Sequence, residues 1–274
     1  MLPKDVNPDR RAYVTLVTAD SYLPGARALV NSLKLSGTAA DIVVMHDPGI
    51  DLAGLDDLAT RGARLVPVEL PRLSREFHEL HERGNLHGRA PFSKGNKPAF
   101  HVPLHNFAKL RLWQLDYDAL VYIDADAIVL RNCDRLFSYP QFCAAPNLYE
   151  SLVDFGRLNS GVFTARPDPA IYEDMLRVLD RPGKFWRRTD QTFLEEYFPD
   201  WHGLPIYYNM MQYVWLNLPE IWRWQDIRIV HFQYEKPWDT PHDKSSRLLP
   251  LIELWRAFER GHDIPDLSTL PPPP

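Results

Sequence analysis

Two cysteines in 274 residues, Cys133 and Cys143, leave no disulfide framework and no thiolate set for a structural zinc. Reduced, structural thiols are the expectation. No apolar run reaches the ~18 residues needed to cross a bilayer, and the opening MLPKDVNPDRR lacks the apolar core of a secretion signal. The sequence therefore reads as cytoplasmic and without a transmembrane segment, with peripheral membrane contact left open. Positive charge is short: 31 Lys and Arg against 36 Asp and Glu give a net charge of −5. A general nucleic-acid surface wants a basic face, so nucleic acid is not an expected partner. An anionic substrate would need local cations or a metal. There is no internal repeat and no linker that separates domains. What is present is 45% hydrophobic residues, enough to exclude disorder over most of the length and to fill one large α/β core.

The pattern along the chain is strand–helix–strand. Residues 1–11 read as a polar tail. Ala12 to Thr18 is rich in β-branched residues and predicts a first strand. Pro24 opens a helix closed by Gly37, and Leu29 and Leu33 share one face of it. Asp41 to His46, a helix over Leu52 to Arg61, and a strand over Ala63 to Leu70 continue the alternation. That order implies right-handed crossovers and a mostly parallel, Rossmann-like sheet flanked by helices in a single domain over 12–260. Asn106 to Asp116 predicts a helix with Phe107, Leu110 and Trp113 as its apolar stripe and Lys109 off it. Strands are expected over Gln141 to Pro146, Asn159 to Arg166 and Ile227 to Phe232. Helices are expected over Asp168 to Leu179, Asp190 to Tyr197 and Ser246 to Arg260. Residues 261–274 read as a proline-rich, extended tail.

The stretch 71–103 breaks this regularity. Five of the ten histidines (His78, His81, His87, His101 and His105) fall there or just beyond, among Gly84, Gly88, Pro91, Gly95, Pro98 and Pro103. No cysteine accompanies these histidines to support a metal site. An irregular basic lid carrying Arg89, Lys94 and Lys97 over an anionic ligand is the better reading.

The chemistry centres on Tyr117 to Phe137. The apolar run Leu120 to Ile123 meets Asp124-Ala125-Asp126, and a second run, Ala127 to Leu130, follows. Charge between two apolar runs marks the end of a buried strand. Ligands of open α/β sheets bind beyond such ends, and two carboxylates there can hold a hard divalent cation that in turn holds a diphosphate. The bland alternative is a charged turn, but unpaired carboxylates at a core edge are costly unless a cation satisfies them. Four other elements can meet the pair. His231, at the end of the late strand, would complete an O,O,N donor set suited to Mn²⁺. Lys236, in EKPWD, can aim an ammonium at phosphate. Asn159-Ser160-Gly161 offers hydroxyl partners with close approach, and Asp190-Gln191 opens a helix. Each alone has a plain structural explanation.

Together, in this order, they resemble glycosyltransferase family 8, the glycogenin-like retaining transferases of GT-A fold. The blocks that carry the resemblance are YVTLVTADSYLPGA, FAKLRLWQL, YIDADAIVLRNCDRLF, NSGVF, DQTFL and VHFQYEKPW, in register from about Ala12 to Asp239. The middle blocks are most similar to the branch with plant glucuronosyltransferases acting on xylan or sphingolipid. The resemblance implies a hexosyltransferase that moves a hexosyl or hexuronosyl unit from a UDP-sugar to a glycan, lipid or small-molecule acceptor. It implies Asp124, Asp126 and His231 as ligands of Mn²⁺ or Mg²⁺, with Ala125 between the acids. It implies Lys109 and Lys236 at the donor diphosphate or sugar, and Leu16, Thr18 and Tyr22 around uracil and ribose. Asn159, Ser160, Asp190 and Gln191 are implied around the donor sugar. Two positions depart from the family pattern: Ala19 stands where Asn is common, and Gln233-Tyr234-Glu235 fills a gap in which glycogenin carries a Gly.

Retention can follow front-face attack, in which the leaving phosphate takes the acceptor's proton. It can also follow double displacement, for which Asp190 and Gln191 are the nearest nucleophile candidates; Lys109 is the third residue expected in catalysis. A non-catalytic or weakly hydrolytic nucleotide-sugar-binding relative is the alternative. Phosphatases of the haloacid dehalogenase type also use D-x-D, but they want it after the first strand with Thr or Val two residues beyond, where this chain has Ile128. The aromatic group Trp215, Trp222, Trp224, Tyr207, Tyr208 and Tyr213 reads first as core and second as an acceptor surface.

Overall fold

The computed structural model describes residues 10–89 and 98–274. In chain order the regular elements begin with β1 (Arg11–Val17), α1 (Leu23–Leu35), β2 (Asp41–His46), α2 (Leu52–Thr60), β3 (Arg64–Pro67), α3 (Arg75–His81) and α4 (Arg83–Arg89). They continue with β4 (Ala119–Ile123), β5 (Ala127–Val129), β6 (Cys143–Pro146), β7 (Leu158–Ala165), α5 (Pro169–Leu179) and α6 (Asp190–Tyr197). The last are β8 (His202–Gly203), β9 (Met210–Met211), α7 (Gln212–Asn217), β10 (Ile229–His231) and α8 (Leu249–Arg260).

The main sheet has seven strands in the order β3-β2-β1-β4-β7-β6-β8. Only β7 runs against its neighbours. Both faces are covered, and the alternation along the strands shows why. Val14, Leu16, Met45 and Tyr122 face a layer formed by the 3-10 segment Pro103–Gln114, α5 and α6. Tyr13, Val17, Val44 and Val121 face α1 and α2. Successive side chains point to opposite faces, so a strand buried on both sides reads as an unbroken apolar run.

A smaller sheet, β5-β10-β9, lies beside the main one. Its strands are two or three residues long, so few ladder hydrogen bonds hold it, each worth ~1 kcal/mol net. Packing holds it instead. Trp215, Trp222, Phe232 and Trp255 are buried against it and α8, each at ~1.5–3 kcal/mol. The Trp215, Trp222 and Trp224 rings meet edge-on or tilted, with centroids 5.2 to 5.7 Å apart. This bears out the core reading of these tryptophans. The last residues continue this packing: Ile264, Leu267 and Leu270 lie against it, and Trp224 Nε1 donates to the carbonyl of Pro271 at 2.8 Å.

Two expectations need correction. Residues 71–103 are not irregular throughout, because α3 and α4 lie there. Ser74 caps α3 by accepting from Phe77 N, and Asp180 holds Ser74 from across the fold. His81 is core: its Nε2 accepts from Trp186 N at 2.9 Å, and Nδ1 lies 2.8 Å from Phe77 O. A seven-residue helix is marginal alone, so these tertiary bonds decide α3 against its histidine content. Of the expected lid cations, Arg89 stacks over the Phe185 ring, while Lys94 and Lys97 lie outside the described residues. The segment over Asn106 to Asp116 is helical but wound as 3-10 from Pro103 to Gln114. The three-residue spacing of Phe107, Leu110 and Trp113 suits 3.0 residues per turn.

Candidate active site

The acid pair hangs on two hydrogen-bond ladders. β4 ends at Ile123, and Asp124 N donates to Gly161 O at 2.8 Å, continuing the antiparallel β4–β7 register. That register sets Asn159-Ser160-Gly161 beside Asp124. The chain then turns, and β5 pairs with β10 so that Ala127 faces His231, with Phe232 N donating to Asp126 O at 2.8 Å. That second register sets His231 beside Asp126. β1 runs parallel to β4, which carries Leu16 and Thr18 to the same sheet edge.

His231 Nε2 lies 3.1 Å from Asp126 Oδ1 and 3.9 Å from Asp124 Oδ2. One donor atom from each of the three residues falls within 4.8 Å of the others. Asp124 is the most open of the three, its side chain 28% exposed toward a cavity of about 220 Å³. Two carboxylate oxygens and an imidazole nitrogen in this space fit a divalent cation.

Local charge supports the fit. Lys109 is buried, its Nζ 2.7 Å from Asp190 Oδ2, 3.2 Å from Asp124 Oδ1 and 3.2 Å from Ser160 O. It also sits over the Tyr122 ring at 4.5 Å. Lys236, buried as well, donates to Asp126 Oδ2 and to Phe232 O. Three carboxylates thus meet two ammonium groups. A divalent cation would turn that deficit into a surplus able to face a diphosphate. Burial pushes the Asp126 carboxyl up, but Lys236 and His231 overcome it and hold the group well below the usual carboxylate range. Burial lowers Lys109, but Asp124 and Asp190 outweigh it and raise the ammonium above its usual value.

Of the residues singled out in the sequence, Leu16, Thr18, Tyr22, Lys109, Asp124, Ala125 and Asp126 line the cavity. Asn159, Ser160, Asp190, Gln191 and His231 line it too. Lys236 does not: its ammonium faces Asp126 from behind. Asp190 accepts from Lys109, Ser160 Oγ and Thr189 Oγ1. Thr189 itself holds a positive φ of 48° with ψ −128°, a strain of roughly 1–3 kcal/mol, and its turn delivers Asp190 into the cavity at the start of α6.

Several lining residues carried no sequence signal. Tyr122 donates to Asp124 Oδ1 at 2.8 Å, and its place inside an apolar strand hid it. Asn209 does not line the cavity but contacts His231 from behind, and it reads as an ordinary loop residue. His101, within hydrogen-bonding distance of the Tyr22 hydroxyl at 3.0 Å, stood in the histidine-rich stretch. Arg187 and Arg188 line the cavity two and three residues before Asp190. Tyr234, in the gap that departs from the family pattern, lines it with a positive φ of 64°.

Residues 13–147 match the family model "Glycosyl transferase family 8". UDP-glucuronate:xylan alpha-glucuronosyltransferase 2 of Arabidopsis thaliana is 33% identical over 212 residues, 77% of this chain and 31% of that protein. Glycogenin-1 of Oryctolagus cuniculus is 29% identical over 247 residues, 86% of this chain and 68% of that protein. The chain spans about a third of the length of the Arabidopsis xylan glucuronosyltransferases it matches. Among solved structures, the glycosyltransferase GlyE of Streptococcus pneumoniae superposes with a TM-score of 0.64 at 17% identity, covering 95% of this chain and 62% of that one. The galactosyltransferase LgtC, solved with donor and acceptor sugar analogs, gives 0.60 at 15% identity, over 93% of this chain and 97% of that one. At such identities the structural likeness speaks for the fold alone.

Proposed function

This chain belongs to glycosyl transferase family 8 and has its GT-A fold, and from that premise we propose that it transfers a hexosyl or hexuronosyl unit from a UDP-sugar with retention of configuration. The observation that carries the proposal is the O,O,N donor set of Asp124, Asp126 and His231 at one end of a single cavity. Asn159, Ser160, Asp190 and Gln191 line the same cavity beside it, placed for sugar hydroxyls. A bound Mn²⁺ or Mg²⁺ would neutralise the diphosphate as UDP departs.

The chain's own residues do the rest. Leu16, Thr18 and Tyr22 would cup the uridine, whose apolar face suits the buried end of β1. Lys109 would place a fixed positive charge beside the breaking bond, in a site dry enough for it to count. Lys236 would hold Asp126 ionised and oriented. Asp190, gripped by three donors, is held in one orientation, which suits hydroxyl recognition better than attack on the anomeric carbon. Front-face attack is therefore the favoured route, with the departing phosphate taking the acceptor's proton.

Two cations favour a donor that carries a carboxylate. Arg188 is half-buried, and its nearest acid, Asp154, is 3.7 Å away, a loose pairing that leaves the guanidinium available for a bidentate contact. Arg187 is exposed at the cavity edge. The Arabidopsis relatives are named for UDP-glucuronate, which agrees with this chemistry. A glycan is the proposed acceptor class.

A donor screen tests the proposal. UDP-glucose, UDP-galactose, UDP-glucuronate and UDP-N-acetylglucosamine are each incubated with Mn²⁺ and xylan-type oligosaccharides, and released UDP and extended product are scored. The expected result is Mn²⁺-dependent release with UDP-glucuronate preferred. Binding of UDP-sugars with neither transfer nor hydrolysis would move the chain to a non-catalytic role.

A further inference from the structure

We infer that Asn209 is a positioning residue that decides which nitrogen of His231 is offered to the acid pair. The inference rests on reading Asp124, Asp126 and His231 as the metal site.

The argument begins at a group whose identity is beyond choice. The backbone N–H of Gly161 can only donate, and it does so to Asn159 Oδ1 at 2.9 Å. That atom is therefore an oxygen. The same oxygen lies 2.8 Å from one side-chain atom of Asn209, which must then be the amide nitrogen. The other atom of that amide is the carbonyl oxygen, and it lies 2.9 Å from His231 Nδ1. A carbonyl only accepts, so Nδ1 carries the proton that completes this bond. With Nδ1 so committed, Nε2, which points at Asp126 and Asp124, is the nitrogen that would give its lone pair to a bound metal. A tautomer is set by what the opposite nitrogen bonds to, and here a chain of amides sets it, starting from the backbone of β7.

Packing closes the alternatives. Asn209 is fully buried and His231 nearly so, which leaves little room for water to replace the amide. The imidazole lies against Gly161: a Cβ there would stand 2.4 Å from Cε1 and 2.7 Å from Nδ1. The ring cannot back away from Asn209 toward β7. The same network reaches Gln191 in the cavity wall, because Asn159 Nδ2 lies 3.1 Å from Asn147 Oδ1 and 3.3 Å from Gln191 Oε1. Residues facing the sugar and the histidine facing the metal thus share one hydrogen-bonded chain.

Mn²⁺ binding to the purified chain, read from the electron paramagnetic resonance of free Mn²⁺, tests this. Asn209→Leu removes the acceptor and should bind Mn²⁺ about 10- to 100-fold more weakly, the usual cost of losing a partner behind a metal ligand. Asn209→Asp restores an acceptor for Nδ1–H and should bind Mn²⁺ close to wild type. Wild-type affinity in Asn209→Leu, or equal weakness in both variants, overturns the inference. Asp126→Ala separates it from its premise: loss of Mn²⁺ binding there, with affinity kept in Asn209→Leu, sinks the role of Asn209 alone. A wild-type chain that binds no Mn²⁺ sinks both. Should Asn209→Leu fail to fold, ¹⁵N NMR of the wild-type imidazole with diamagnetic Zn²⁺ decides. A retained Nδ1–H supports the inference, and metal at Nδ1 overturns it.

Discussion

Lys109 Nζ lies 2.7 Å from Asp190 Oδ2, joining residues 81 positions apart, with both side chains no more than 5% exposed. The pair ties the 3-10 segment Pro103–Gln114 to the start of α6 through the floor of the cavity. It explains how a lysine off the apolar stripe of its own segment is nevertheless buried. It also places an ammonium within 3.2 Å of Asp124 before any substrate arrives.

Removing that ammonium leaves Asp190 and Asp124 without their shared cation. Breaking a buried pair by deleting one partner costs ~3–5 kcal/mol. Lys109→Met should lower the urea midpoint accordingly and reduce UDP release from the donor to near background. A variant with wild-type stability and wild-type UDP release would show that the pair serves neither purpose.

The acid and alkaline limits of stability follow from the same site. Asp126 is held below its ordinary value of 3.8. Its contribution is therefore complete above 3.8 and is lost as pH falls through the depressed value. Lys109 is raised above its ordinary 10.5, so its contribution is complete below 10.5 and is lost as pH rises through the elevated value. Urea midpoints measured across pH should fall below pH 3.8, less steeply in Asp126→Asn, and should fall again above pH 10.5.

Gly25 in α1 supports the acid turn from beneath. A Cβ at this position would stand 2.4 Å from the Ala125 carbonyl oxygen and 2.7 Å from the Trp238 ring. A backbone carbonyl between two metal-ligand candidates cannot move without moving them. Gly25→Ala should cost ~1–3 kcal/mol, the range for overpacking, and should weaken Mn²⁺ binding. Thermal melting and a Mn²⁺ titration check both halves, and unchanged Mn²⁺ affinity would show that the turn tolerates the push.

Lys236 lies behind Asp126, and its removal should be felt at the phosphates through that acid. Lys236→Ala is expected to weaken UDP binding in the presence of Mn²⁺ by about tenfold, the ~1.4 kcal/mol scale of a charge-assisted hydrogen bond. Calorimetry with Mn²⁺ and UDP reads it, and equal affinity would remove Lys236 from the donor site.

Arg188 gives the donor preference a handle. Arg188→Ala should lower kcat/KM for UDP-glucuronate by about 10- to 100-fold, the ~1.5–3 kcal/mol of a hydrogen bond to a charged group, while altering UDP-glucose much less. Equal losses for both donors would assign Arg188 to general packing of the cavity.

The amino-acid sequence determined the frame by itself. An apolar run that stops at two acids can hardly be anything but a buried strand reaching a sheet edge, and β4 ends one residue before Asp124. Pro24 near the start of α1, Gly37 beyond its end and the acid at the first position of α6 are local choices, set by backbone geometry and the helix dipole. They were legible for that reason, as were the residue types that bind metal. What only the tertiary structure decided is who meets whom. His231 reaches Asp126 through the β5–β10 register, and Asn159 reaches Asp124 through β7 running antiparallel; no spacing along the chain encodes either pairing. The short helix α3 exists because Asp180, Trp186 and Phe107 hold it, contacts that outweigh weak local propensity. Lys236 turned from the open cavity to Asp126, and Asn209 emerged from a plain loop, because burial forces each polar atom to find a partner. Which partner lies nearest is a property of the fold.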